Sequence, residues 1–139
     1  MCSSDLNWVS AAAAGLPRML AATRLSLRAD ERTARALARE VRDSGGGLKG
    51  VKALGALVRG RAQISMNLTD FRVSSPSEVY ADLQRRVEGR GARIVEGELI
   101  GLIPEAAVEQ NSEWVRQLED FSAETKILER RMERPLDWP

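Results

Sequence analysis

Gln63-Ile64-Ser65-Met66-Asn67-Leu68-Thr69-Asp70 alternates between polar and apolar residues up to its last position. Ile64, Met66 and Leu68 at the even positions are apolar. Gln63, Ser65, Asn67 and Thr69 at the odd positions are polar without charge, so the stretch reads as a strand with one face for a core and one face of amides and hydroxyls. A solvated strand face usually carries Lys, Glu and Arg, whereas a row of neutral hydrogen-bonding groups suits a sheltered surface that meets a polar partner. The plainer alternative, an outer face of mixed polarity with no ligand, stays open on alternation alone.

Elements on either side extend the pattern. Met19, Leu20, Thr23, Leu25 and Leu27 suggest a strand over 18–27, with Leu25 and Leu27 on one face and Arg24 and Ser26 on the other. Asp30 is suited to cap a helix over 31–43, whose stripe is Ala34, Leu37, Ala38 and Val41 and whose stop is the triple glycine after Ser44. Residues 51–58 have no clean period, which leaves a short helix or a strand open, and a strand or an irregular connection, turned at Gly60, is the preferred reading. Ser75-Pro76-Ser77-Glu78 combines a capping box with proline in the first turn, ahead of a stripe of Val79, Tyr80, Leu83 and Val87 that ends near Gly89 or Gly91. Residues 92–98 form a further strand, and Pro104 opens a short helix.

The order strand, helix, strand or hairpin, strand, helix, strand predicts an α+β fold, a ferredoxin-like open sheet with both main helices on one face. The other face is left bare, and by parity Gln63, Ser65, Asn67 and Thr69 lie on it. Residues 1–17 are unassigned and open in a way that suggests a truncated reading frame. Residues 18–110 form the domain, and residues 111–139 read as a charged helical tail anchored by Trp114, Leu118, Phe121, Ile127 and Leu128.

Composition narrows the function classes. A chain of 139 residues, 43% hydrophobic, can bury one core. Twenty-one Lys and Arg against 20 Asp and Glu give a net charge of +1, with no global attraction to nucleic acid or an anionic membrane. The aromatic content is 4%, and no aromatic lies on the polar face of the 63–70 strand, which argues against base stacking. Cys2 is the one cysteine and histidine is absent, so an intrachain disulfide and a His/Cys metal cluster are excluded and a reducing, cytoplasmic setting is expected. The run Ala11–Ala14 is too short to span a membrane.

Three segments in order carry a resemblance: the loop Gly45-Gly-Gly-Leu-Lys-Gly-Val-Lys-Ala-Leu-Gly55, the strand from Gln63, and Gly97-Glu-Leu-Ile-Gly-Leu-Ile-Pro-Glu105. Together, over residues 20–108, they resemble the C-terminal subdomain of glutamate formimidoyltransferase, also found as the transferase half of formiminotransferase-cyclodeaminase. The resemblance implies a folate-side subdomain of a transferase that moves a formimidoyl group from N-formimidoyl-glutamate to tetrahydrofolate, in one-carbon metabolism and histidine degradation. It implies folate bound between this sheet and that of an N-terminal formiminotransferase subdomain, which has no counterpart in this chain. Gln63, Ser65, Asn67 and Thr69 would line the tunnel, with Lys49 and Lys52 drawing in the polyanionic folate tail. The family's cation, Mg or another, matches backbone oxygens of Gly46, Gly55 and Val58. A homo-oligomer is expected.

Two departures limit the transfer. The family usually presents asparagines where this chain has Arg24 and Ser26. Its catalytic base is a histidine of the N-terminal subdomain, so no residue here is given a catalytic role, and the chain alone is expected to be an inactive fragment. The glycine loop can cradle an anion with its amides or be a plain turn with solvated lysines, and Glu98 reads as a surface carboxylate. The rival reading is a stand-alone ferredoxin-like binding or oligomerisation module without catalysis.

Overall fold

A computed structural model describes residues 21–119 and 121–133. Its centre is a four-stranded antiparallel sheet of β1 (Ala21–Arg28), β2 (Val51–Val58), β3 (Arg61–Leu68) and β4 (Arg93–Ile100), in the spatial order β2-β3-β1-β4. Helix α1 (Glu31–Val41) connects β1 to β2, and α2 (Pro76–Glu88) connects β3 to β4. This is the ferredoxin-like arrangement expected from the order of elements. Met19 and Leu20, assigned to the first strand, lie outside the described residues.

Local chemistry sets the boundaries. Asp30 accepts from the Thr33 N–H at 2.7 Å and starts α1. Ser75 and Glu78 form the reciprocal capping box at α2, with Pro76 as the first helical residue. Residues 51–58 are a regular strand. β2 and β3 are joined by a two-residue turn, Arg59 and Gly60, both at positive φ (50° and 77°), the backbone whose twist matches that of the strands.

The core lies on the helix-covered face of the sheet. Leu25 and Leu27 of β1, Ala62, Ile64, Met66 and Leu68 of β3 and Leu99 of β4 pack there against Ala34, Leu37, Ala38 and Val41 of α1 and Val79, Leu83 and Val87 of α2. A Cβ on Gly55 would sit 2.5 Å from backbone atoms of Ala34 and Arg35, so glycine lets α1 approach β2 at that point.

Beyond β4 the chain does not form one extended helix. It breaks into α3 (Glu105–Gln110), α4 (Ser112–Val115), α5 (Ala123–Lys126) and α6 (Leu128–Glu133). Trp114, Val115, Leu118 and Ile127 are buried, so residues 111–127 complete the core rather than trail from it. Asn111, 2% exposed, accepts from the Ser77 N–H at 3.0 Å and donates to the Ala107 carbonyl at 2.8 Å, tying this segment to the start of α2. No described helix is long and apolar enough to cross a membrane.

Candidate functional site

The face of the sheet away from the helices is an ordered lattice. Strand register places Ile100, Ala22, Asn67 and Lys52 in one row across the four strands, and Glu98, Arg24, Ser65 and Leu54 in the next. A third row holds Glu96, Ser26, Gln63 and Ala56, with Arg61 and Val58 beyond it. The parity expected for β3 holds: Ile64, Met66 and Leu68 are buried, while Gln63, Ser65 and Asn67 share the opposite face with Arg24 and Ser26.

Two adjoining depressions cross this surface. One, of about 250 Å³, is lined by Arg24, Ser26, Gln63, Glu96, Gly97, Glu98 and Glu119. The other, of about 370 Å³, shares Arg24, Ser26, Gln63 and Glu96 with it and adds Val58, Arg59 and Arg61. Together they make one polar groove across β4, β1 and β3. The Arg24 guanidinium pairs with Glu98, and Arg61 reaches over Ser26 to Glu96 at 3.1 Å. Gln63 donates from Nε2 to Ser26 Oγ at 3.3 Å, and its buried Oε1 has no partner among the described residues.

The other expected site residues are distributed differently. Lys52 stands beside Asn67 at the edge of the lattice, while Lys49 is exposed in the preceding loop. Thr69 lies just past β3, and its hydroxyl donates to the Gly50 carbonyl at 2.9 Å. The glycine loop is a closed turn. The N–H groups of Gly45, Gly46, Gly47 and Leu48 donate to carbonyls of residues 41–43, and the Gly50 N–H donates to Asp43 Oδ2 at 2.9 Å. These amides are therefore not free to cradle an anion.

The carbonyls of Gly46, Gly55 and Val58 do not fit one cation. Gly55 and Val58 stand three residues apart on an extended strand, about 10 Å, whereas two oxygens on one cation lie within about 5 Å. Their backbone groups also point opposite ways. Thr69 N–H donates to Gly50 O, so by alternation Lys52, Leu54, Ala56 and Val58 face β3 and Gly55 faces the free edge. Among the described residues no group of three or more His, Cys, Asp or Glu can hold a metal.

The ion pairs Arg24–Glu98 and Arg61–Glu96 have no local signature in the sequence. Their partners lie 74 and 35 residues apart, and only the strand register brings them together.

Comparison with known proteins decides the family. The model of the formiminotransferase domain matches residues 22–132. This chain belongs to that family. It is 35% identical over 95 residues to glutamate formimidoyltransferase of Streptococcus pyogenes serotype M1, a match covering 67% of this chain and 32% of that protein. It is 36% identical over 100 residues to glutamate formimidoyltransferase of Thermoplasma acidophilum, covering 70% of this chain and 33% of that protein. The formiminotransferase-domain chain thus spans about one third of the length of these relatives.

Proposed function

We propose that this chain supplies the folate-side sheet of a glutamate formimidoyltransferase, with the grooved outer face closing against a second domain that carries the catalytic base. The observation that carries this reading is the polar groove lined by Gln63, Arg24 and Ser26 on the face the helices leave uncovered, with Ser65 and Asn67 beside it on the same face. The two relatives are named for transfer of a formimidoyl group involving glutamate, and tetrahydrofolate is the acceptor implied by the family resemblance.

The reaction joins the folate nitrogen to the formimidoyl carbon and breaks that carbon's bond to the glutamate nitrogen. The attacking nitrogen loses a proton, and the departing one gains a proton. This chain has no histidine, and Glu96 and Glu98 are engaged by arginines, so the proton acceptor belongs to the partner domain. The chain's own part is to orient the acceptor. Ser65 and Asn67 offer donors and acceptors to a flat polar ring system beside the groove that Gln63 lines. Arg24 draws a carboxylate, in competition with Glu98, and Lys52 extends the positive edge beside Asn67. The setting is cytoplasmic one-carbon metabolism.

A transferase assay tests this. The chain alone should give no formimidoyl-tetrahydrofolate above background, and the chain fused behind a histidine-bearing formimidoyltransferase subdomain should give turnover. In the fusion, Asn67→Ala should raise KM for tetrahydrofolate about tenfold, the cost of one polar partner. Turnover by the chain alone, or an unchanged KM, would remove the proposal.

A further inference from the structure

At the end of the sheet where the β2–β3 turn lies, the next row of the outer-face lattice is made of arginines. Arg93 of β4 stands directly opposite Arg28 of β1. Carrying the β1–β3 register one step past Leu27 and Ala62 puts Arg61 on the other side of Arg28. Leu27 is buried and Ile94 packs against the core, so alternation turns Arg28 and Arg93 to the outer face, with Arg61. Arg59, in the turn, adds a fourth arginine at this end.

A bulge makes this row. Ser26 is paired with Glu96 but Leu27 with Ile94, so β4 carries Val95 as an extra residue, 54% exposed. In unbroken register Arg28 would face Ile94. The bulge turns Ile94 inward and sets Arg93 across from Arg28, the kind of re-aiming that bulges perform beside binding sites. Like charges directly opposite one another destabilise paired strands. Arg61 is relieved by Glu96 at 3.1 Å. Arg28, Arg93 and Arg59 are exposed, and their side chains have no carboxylate partner among the described residues. Arg59 is also the one non-glycine residue at positive φ among those described, at a turn position where Asn, Asp or Gly is preferred.

We propose that Arg28 and Arg93 bind a multivalent oxyanion, a phosphate group or a pair of carboxylates on one ligand, with Arg59 adding positive charge at the same end of the sheet. Guanidinium groups present parallel N–H donors that match the oxygens of either anion. An anion between Arg28 and Arg93 replaces their repulsion with two charge-assisted contacts. The site rests on strand register and charge, so it is independent of the function proposed for the groove.

Titrating the isotopically labelled full chain with inorganic pyrophosphate and with glutarate, each at fixed ionic strength against chloride, tests this. Saturable shifts of the Arg28 and Arg93 Nε–H signals are expected with at least one anion, and the tighter of the two tells phosphate from carboxylate. Arg28→Gln and Arg93→Gln should each weaken binding about tenfold, the loss of one charge-assisted contact, and Arg59→Gln about twofold. Arg39→Gln, in the last turn of α1, should change nothing. Arg93→Glu should pair with Arg28, raise Tm without any ligand and abolish the shifts. Should one glutamine variant fail to fold, the other decides. No saturable shift beyond chloride with either anion, or binding unchanged in the glutamine variants, overturns the proposal. So does an Arg93→Glu protein that still binds or is no more stable than wild type.

Discussion

Gly55→Ala should destabilise the fold although it adds only one methyl group. The new Cβ would meet the Ala34 carbonyl carbon and oxygen and the Arg35 nitrogen at 2.5 Å. Ordinary contact needs close to 3.5 Å, so α1 would have to retreat from β2 by about 1 Å. Ala34, Leu37, Ala38 and Val41 all face the sheet with essentially no exposure, so the shift loosens the whole α1 interface. Overpacking of this kind costs about 1–3 kcal/mol, offset by the roughly 0.5 kcal/mol that replacing glycine removes from unfolded-chain entropy. A net loss of about 2 kcal/mol is expected, lowering Tm by about 10 °C. Urea unfolding of both proteins, followed by circular dichroism and fitted with a common slope, measures it. Gly46→Ala is the contrast: its Cβ meets nothing within 4 Å, but φ of +82° should cost about 1 kcal/mol. If Gly55→Ala stays within 0.5 kcal/mol of wild type, the close approach of α1 is wrong.

Other predictions concern parity, capping and charge. Ile64→Asp puts an unpaired carboxylate in the core and should abolish cooperative unfolding, whereas Asn67→Ala, three residues on and on the exposed face, should shift stability by under about 0.5 kcal/mol. Asn111→Ala leaves the Ser77 N–H without its partner and should cost about 2 kcal/mol by urea unfolding. Ser75→Ala removes half the capping box and should cost about 1 kcal/mol. Hydrogen bonds from Arg90, with Arg86 adding its own, hold the Glu40 carboxyl below its ordinary value. A lowered folded-state pKa stabilises above the unfolded value, near 4.5, and that contribution is lost as pH falls through the folded pKa. Glu40→Gln should therefore be less stable than wild type at neutral pH and converge with it in acid.

How far the fold was legible depended on how local its determinants are. The α2 start could be read because Ser75, Pro76 and Glu78 bond within one turn, and β3 because a core covers one side and not the other. β2 lost its period for a physical reason. Its core-facing positions include Ala53 and Gly55, kept small under α1, while its outer positions Leu54 and Val58 are apolar yet exposed and Ala56 is half-buried, so alternation disappears. Residues 111–127 looked like a tail because Trp114, Leu118 and Ile127 follow no single helical period; they sit on separate short elements and turns that each bury one anchor. At the site, the polar row of β3 was visible, but its ionic surroundings depend on a register between distant strands. The glycine loop was ambiguous until its N–H groups could be followed to carbonyls and Asp43.

Titrating tetrahydrofolate into isotopically labelled protein tests the central claim most directly, because amide resonances report the face that binds. The account predicts that the side-chain NH₂ signals of Gln63 and Asn67 and the backbone signals of Arg24, Ser26 and Ser65 move together and saturably, with those of α1 and α2 unmoved. No saturable shift, or shifts confined to the helical face, would contradict the assignment of the outer sheet as the folate surface.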